Sequence, residues 1–275
     1  MRVTFWRPRP TLKRQLCCFA AALTLLASAP PEAAHAQTAV DLQLVLAVDV
    51  SGSVNAQRFE LQKMGYVAAF LNKRVLDTII AGRNQSIAVT MTQWSGPFLQ
   101  SQVVPWTVLK DESSVKGFAG AIESAPRMMY GGGTSISGAI DNAVTLFPGA
   151  PLKTERRVID VSGDGSNNRG RSVTQARDEA LDAGIVINGL PILAFEPQLD
   201  EYFNKYVIGG PGAFMIAAKS FETFAEAILM KLIIEIADIA PRDRRKIAGL
   251  GRGVDLTFAT PWQQARNANV KSKLH

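Results

Sequence analysis

Cysteine and histidine are nearly missing from this chain: two of each among 275 residues, at Cys17, Cys18, His35 and His275. Between residues 36 and 274 there is neither. That stretch therefore has no disulfide, no thiolate nucleophile, no Cys/His zinc site and no Ser-His-Asp triad. A phosphate-cradling GxxxxGK loop is absent too, as is any internal repeat. The longest apolar run, "LCCFAAALTLLA" (16–27), is shorter than the ~20 residues that span a bilayer. Positive charge is also scarce where a folded core is expected. The net charge is +6, with five Lys/Arg against one Glu before residue 37 and eight against two Asp after residue 240. The middle is left with seventeen Lys/Arg against twenty-one Asp/Glu. An acidic middle with basic ends argues against a nucleic-acid-binding core.

The ends have their own patterns. Arg2, Arg7, Arg9, Lys13 and Arg14 precede the apolar run, and "AHA" (34–36) follows it. Positive, apolar and small-x-small in that order describe a secretory signal peptide over 1–36, cleaved after Ala36. The expected product is periplasmic or secreted, without a transmembrane segment in the mature chain. Cys17 and Cys18 open the apolar run rather than close it, which does not suit lipoprotein attachment. Residues 241–275 follow a helix-ending Pro241 and are expected as a flexible basic tail, in contact with anionic envelope components.

Between these ends, residues 37–240 form one expected domain. "LQLVLAV" (42–48) is a near-continuous apolar strand, the pattern of burial on both faces. A helix is expected over 55–80, with Met64, Val67, Leu71 and Val75 at helical spacing. Strand 86–94 is followed by a return strand, 103–109, which Pro105 confines to a sheet edge. Helices at 112–124 and 136–147, a strand at 156–162, a helix at 172–183 and a strand at 185–192 come next. A short helix at 199–206, a small strand at 213–218 and a helix at 220–239 complete the series. Such alternation specifies a doubly wound, mostly parallel α/β sheet flanked by helices, with one antiparallel edge strand. Ligands of such sheets sit beyond the carboxyl ends of the strands.

Three oxygen-rich loops fall at such ends. In "DVSGS" (49–53), Asp49, Ser51 and Ser53 occupy alternate positions of an extended turn and converge. "GGGTS" (131–135) offers Thr134 behind glycines, and "SGDGS" (162–166) offers Asp164. Hard oxygen donors with few carboxylates suit Mg²⁺ or Mn²⁺. The plainer role for Ser51 and Ser53 is to cap the next helix. Asp160 competes with Asp164 but lies mid-strand. An EF-hand is excluded in "DGSNNRG", because Arg169 stands at its sixth position and Gln175 at its twelfth. Trp94, Trp106 and Met128-Met129 suit either a ligand surface or core packing.

DxSxS after the first strand, a Gly-flanked Thr and a later strand-end Asp-Gly together resemble a von Willebrand factor type A domain, over about 41–240. "RRVIDVSGDGSNNRG" is further similar to a bacterial group of exported proteins of unknown function carrying that domain. The resemblance implies a Rossmann-like fold and a metal-ion-dependent adhesion site at Asp49, Ser51, Ser53, Thr134 and Asp164. It implies that the hydroxyls contact the metal while the aspartates often act through water. Where the family often has Thr-Asp-Gly, Gly163 precedes Asp164 here. The implied function is a non-enzymatic protein-binding module whose Mg²⁺ captures an Asp or Glu of a partner protein. The alternative is a metal-dependent hydrolase or phosphoryl-transfer enzyme of the envelope, which would activate water at the metal.

Overall fold

The computed structural model describes residues 38–129, 131–148, 150, 152–238 and 255–258. The expected signal peptide lies outside them. In chain order the elements are β1 (Thr38–Ala39), β2 (Gln43–Asp49), α1 (Ala56–Leu71), α2 (Lys73–Ile80), β3 (Ile87–Trp94), β4 (Gln100–Leu109), α3 (Glu112–Ser124) and α4 (Ile136–Leu146). They continue with β5 (Leu152–Lys153), β6 (Arg157–Gly163), α5 (Val173–Asp182), β7 (Ile185–Pro191), α6 (Leu199–Tyr202), a π-helical turn (Phe203–Val207), β8 (Phe214–Ala217), α7 (Phe224–Ile236) and β9 (Asp255–Phe258).

The main sheet runs β4-β3-β2-β6-β7-β8-β9. Its five inner strands are parallel, and β4 and β9 pair antiparallel at the two edges. The expected fold class holds, with a second antiparallel edge that the sequence did not announce. β9 comes from the stretch assigned to the basic tail, and the rest of 241–275 lies outside the described residues. Four residues carry too little alternation to be recognised without β8 beside them.

The two core layers follow from strand parity. Leu44, Leu46 and Val48 of β2 join one cluster with Tyr66, Phe70, Phe118 and Phe224; Val45 and Ala47 join the other with Ile136, Ile140 and Phe203. Successive side chains of a strand point to opposite faces, so β2, paired on both sides and buried throughout, is apolar on both. α1 packs between α3 and α7 on the first face, and α4 packs with α5 on the second.

The helix expected over 55–80 is two helices. Asn72 ends α1, and its side chain accepts from the Arg74 N–H to start α2. The break shifts the buried stripe. Val67 and Val75 are buried as expected, but Met64 and Leu71 are exposed, and Phe59, Tyr66 and Phe70 face the sheet instead. Pro105 sits at a register irregularity of β4, where Val89 pairs with Thr107 and Met91 with Val104. A residue without an N–H fits such a position at an edge.

Trp94 is fully buried, and Trp106 packs 5.7 Å from Phe147. Of the residues weighed as a ligand surface, Met129 is partly buried against the core, and only Met128 is well exposed. None of the described helices is long and apolar enough to cross a membrane.

Candidate metal centre

Asp49 is the last residue of β2, and Asp164 follows the last residue of β6, so adjacent parallel strands deliver both carboxylates to the same sheet edge. The turn after β2 closes on Asp49, whose Oδ1 accepts from the Ser51 N–H at 2.7 Å. Ser51 and Ser53 hydroxyls lie 3.2 Å apart, and Ser53 donates to Asp164 Oδ1 at 2.6 Å. Helix α1 begins instead with Asn55, whose side chain accepts from Arg58 N–H at 2.9 Å. Neither serine serves as the helix cap, so both hydroxyls are left for the site.

Thr134 arrives from the α3–α4 loop. Gly132 and Gly133 have φ of 101° and 82° there, a region that favours glycine. The Thr134 N–H donates to Asn168 Oδ1 at 2.9 Å, and its carbonyl accepts from Asn168 and Arg169 N–H groups at 2.9 and 3.2 Å. This clasp ties the threonine loop to the Asp164 loop; Thr134 Oγ1 lies 3.9 Å from where a Cβ on Gly165 would stand. Four of the five expected residues thus touch one another directly, and the fifth is joined through Asn168.

Asp160 belongs elsewhere. It has the parity of Val158 on β6, so it points into the α1/α7 layer, fully buried and 2.9 Å from Lys231 Nζ. This rival has no route to the loops at the strand ends.

The electrostatics favour a cation. Asp49 and Asp164 are buried, and the Oδ2 atom of each lacks a hydrogen-bond partner. Burial, then the Asp164 charge, pushes the Asp49 carboxyl up to about 7. Burial likewise raises that of Asp164. Two desolvated carboxylates with spare oxygens and three nearby hydroxyls form a hard donor set that fits Mg²⁺ or Mn²⁺. Among the described residues no group of three His, Cys, Asp or Glu is placed to hold a metal ion, so hydroxyls complete the donor set here.

Several supporting residues escaped the sequence. Arg127 Nη2 donates to the Val50 and Ser51 carbonyls at 3.0 and 3.1 Å, and Arg58 Nη1 to the Ser53 carbonyl at 2.7 Å. Gln62 Nε2 reaches the Asp49 carbonyl at 3.2 Å. Three donors from outside the turn thus hold the carbonyls of "DVSGS" outward, which leaves its side-chain oxygens facing the site. Glu196 Oε1 accepts from Ser166 N–H at 3.1 Å on the other flank. Only Asn168, inside a polar loop, was signalled by local sequence.

The glycine before Asp164 also has a cause. A Cβ on Gly163 would stand 3.0 Å from Asp49 Oδ2 and 3.2 Å from the Trp94 ring. The indole fills the space another side chain would need. Gly163→Val is expected to cost about 1–3 kcal/mol by overpacking, read as a fall in the denaturant midpoint. An unchanged midpoint would show that Trp94 moves aside freely.

A family model described as protein of unknown function (DUF1194) matches residues 39–240. Nothing among curated proteins matches the chain. Among solved structures, the pilus adhesin SpaC of Lactobacillus rhamnosus GG aligns at 15% identity over 72% of this chain and 31% of its own, with a TM-score of 0.51. A von Willebrand factor type A protein from Catenulispora acidiphila aligns at 15% identity over 72% and 42%, TM-score 0.48. Proximal thread matrix protein 1 of the mussel byssus, with a zinc-occupied MIDAS motif, aligns at 17% over 73% and 47%, TM-score 0.48. The chain spans less than half the length of each of these three. The likeness to the adhesin shows a shared fold. With the strand order above, the architecture is that of a Rossmann-like von Willebrand factor type A domain.

Proposed function

The chain belongs to the DUF1194 family of proteins of unknown function, and we propose that it is an exported, non-enzymatic protein-binding module that captures an acidic side chain through a divalent cation. Asp49, Ser51, Ser53, Thr134 and Asp164 hold the cation, Mg²⁺ or Mn²⁺. One observation carries this: two buried carboxylates bring unpartnered oxygens to the Ser51 and Ser53 hydroxyls at the carboxyl edge of the sheet, with Thr134 clasped to the Asp164 loop through Asn168.

The cation supplies a Lewis-acidic point that takes a carboxylate oxygen. This chain's residues do the rest. The hydroxyls add no formal charge, so two aspartates leave the cation poorly neutralised and receptive to an anionic donor. Arg58 and Arg127 hold the turn in shape, and the buried sheet edge excludes water from one side, which strengthens the attraction.

Calorimetric titration of the protein is expected to show about one Mg²⁺ or Mn²⁺ per chain. Thr134→Ala is expected to weaken it roughly tenfold, since a lost neutral donor to a hard cation is worth about 1.4 kcal/mol. Absence of divalent-cation heat, or the same affinity in the variant, would remove the assignment.

A further inference from the structure

Seven large apolar side chains stand well exposed among the described residues: Met64, Leu71, Ile80, Phe98, Leu99, Met128 and Phe195. Three lie on α1 and α2. The other four lie on three separate loops, and each of those loops is tied to the metal centre. Phe98, 94% exposed, and Leu99 sit on the turn after β3, where the Leu99 side chain lies against Gly132. Met128 follows Arg127, the residue that holds the Val50 and Ser51 carbonyls, and its own N–H donates to Gln93 Oε1 at 2.8 Å. Phe195 carries the Arg58 guanidinium 4.4 Å above its ring, and that guanidinium holds the Ser53 carbonyl. Beside it a mostly polar groove of about 220 Å³ runs past Phe195, with Asn55, Gln57, Arg58, Ser220 and Glu222 among its walls.

Scattered single apolar residues are ordinary, but these four stand on the loops that converge on one polar point, where an interaction surface is expected. Charge points the same way. Around the centre three guanidinium groups, Arg58, Arg127 and Arg169, stand beside three acidic side chains, Asp49, Asp164 and Glu196, and a bound divalent cation adds positive charge to the face. The face is then complementary to an acidic partner, and only when the cation is bound.

We propose that these loops form a docking surface for a protein segment in which an Asp or Glu is flanked by large apolar side chains. The acid seats on the cation, and one apolar neighbour packs on the exposed Phe195 ring while another covers Phe98 and Leu99. The proposal rests on the metal-dependent capture above and adds the chemistry of the residues flanking the acid.

The test is selection of a random twelve-residue peptide display library on the immobilised full chain, in Mg²⁺ and in EDTA. Peptides recovered in Mg²⁺ are expected to carry an Asp or Glu with Phe, Trp, Leu, Ile or Met within three positions. A synthetic peptide of that sequence is expected to bind the Phe98→Ser variant about tenfold more weakly, with Mg²⁺ affinity unchanged. Recovered acidic peptides without apolar neighbours would overturn the docking surface while leaving the metal capture standing. Apolar-flanked peptides recovered equally well in EDTA would do the reverse. Recovery of no peptide, or undiminished peptide binding by Phe98→Ser, would overturn the proposal.

Discussion

Lys231→Met is expected to destabilise the protein by about 3–5 kcal/mol near neutral pH, the usual cost of stripping the counter-charge from buried carboxylates. Lys231 is fully buried on α7, with Asp160 Oδ1 at 2.9 Å and Glu235 Oε2 at 2.8 Å. Asn188 donates to the other Glu235 oxygen at 2.6 Å, and Arg156 to the Glu235 carbonyl. On the α1 side, Tyr66 donates to Ser162 at 3.2 Å. Burial works to lower the Lys231 pKa, but the two carboxylates outweigh it and the net direction is up. The lysine is therefore charged in the core, and it is the single cation facing two acids.

The pH dependence follows from Asp160. Burial raises its carboxyl to about 6, against a downward pull from Lys231 and an upward push from Glu235. An acid whose folded pKa exceeds its unfolded value binds more protons when folded, so stability falls as pH rises from about 4 through about 6. Without Lys231 the downward pull is gone. The deficit of Lys231→Met is thus expected to be larger at pH 7 than at pH 5, and partly relieved by adding Asp160→Asn. Urea unfolding at both pH values checks this; a deficit independent of pH would mean that the lysine stem, and not its charge, supports the core.

Asp49→Asn is the second large effect, and its sign depends on the cation. In EDTA the variant is expected to be more stable than the parent by about 1–2 kcal/mol, because one of two facing, desolvated carboxylates loses its charge. With Mg²⁺ at about a hundred times its Kd, the parent gains about 2.7 kcal/mol by linkage, while the variant gains little. Thermal unfolding with EDTA and with Mg²⁺ therefore gives crossing orders of stability. A variant less stable than the parent in EDTA, or one that still gains with Mg²⁺, would show that Asp49 serves the fold and not a cation.

Local sequence was sufficient for the parts of this protein that depend on neighbours along the chain. A doubly buried strand must be apolar at successive positions, so β2 was visible, and with it the place where Asp49, Ser51 and Ser53 leave the sheet. Alternation of strands and helices set the parallel sheet, and Pro105 set its edge. The mid-strand position of Asp160 already separated it from Asp164, because ligands of such sheets sit beyond the carboxyl ends of the strands. Other features were decided only when distant segments met. Asn55, rather than either serine, starts α1 because Ser53 has Asp164 to bond. Arg127 braces a turn 77 residues before it, a partnership that leaves no local pattern. Lys231 and Glu235 look like an ordinary surface pair in an apolar helix, and only α7 lying across β6 makes them core residues facing Asp160. β9 exists because β8 offers it an open edge. Periodicity records which face of a segment is buried, but not against what, and charged cores and braced turns are fixed by what lies on the other side.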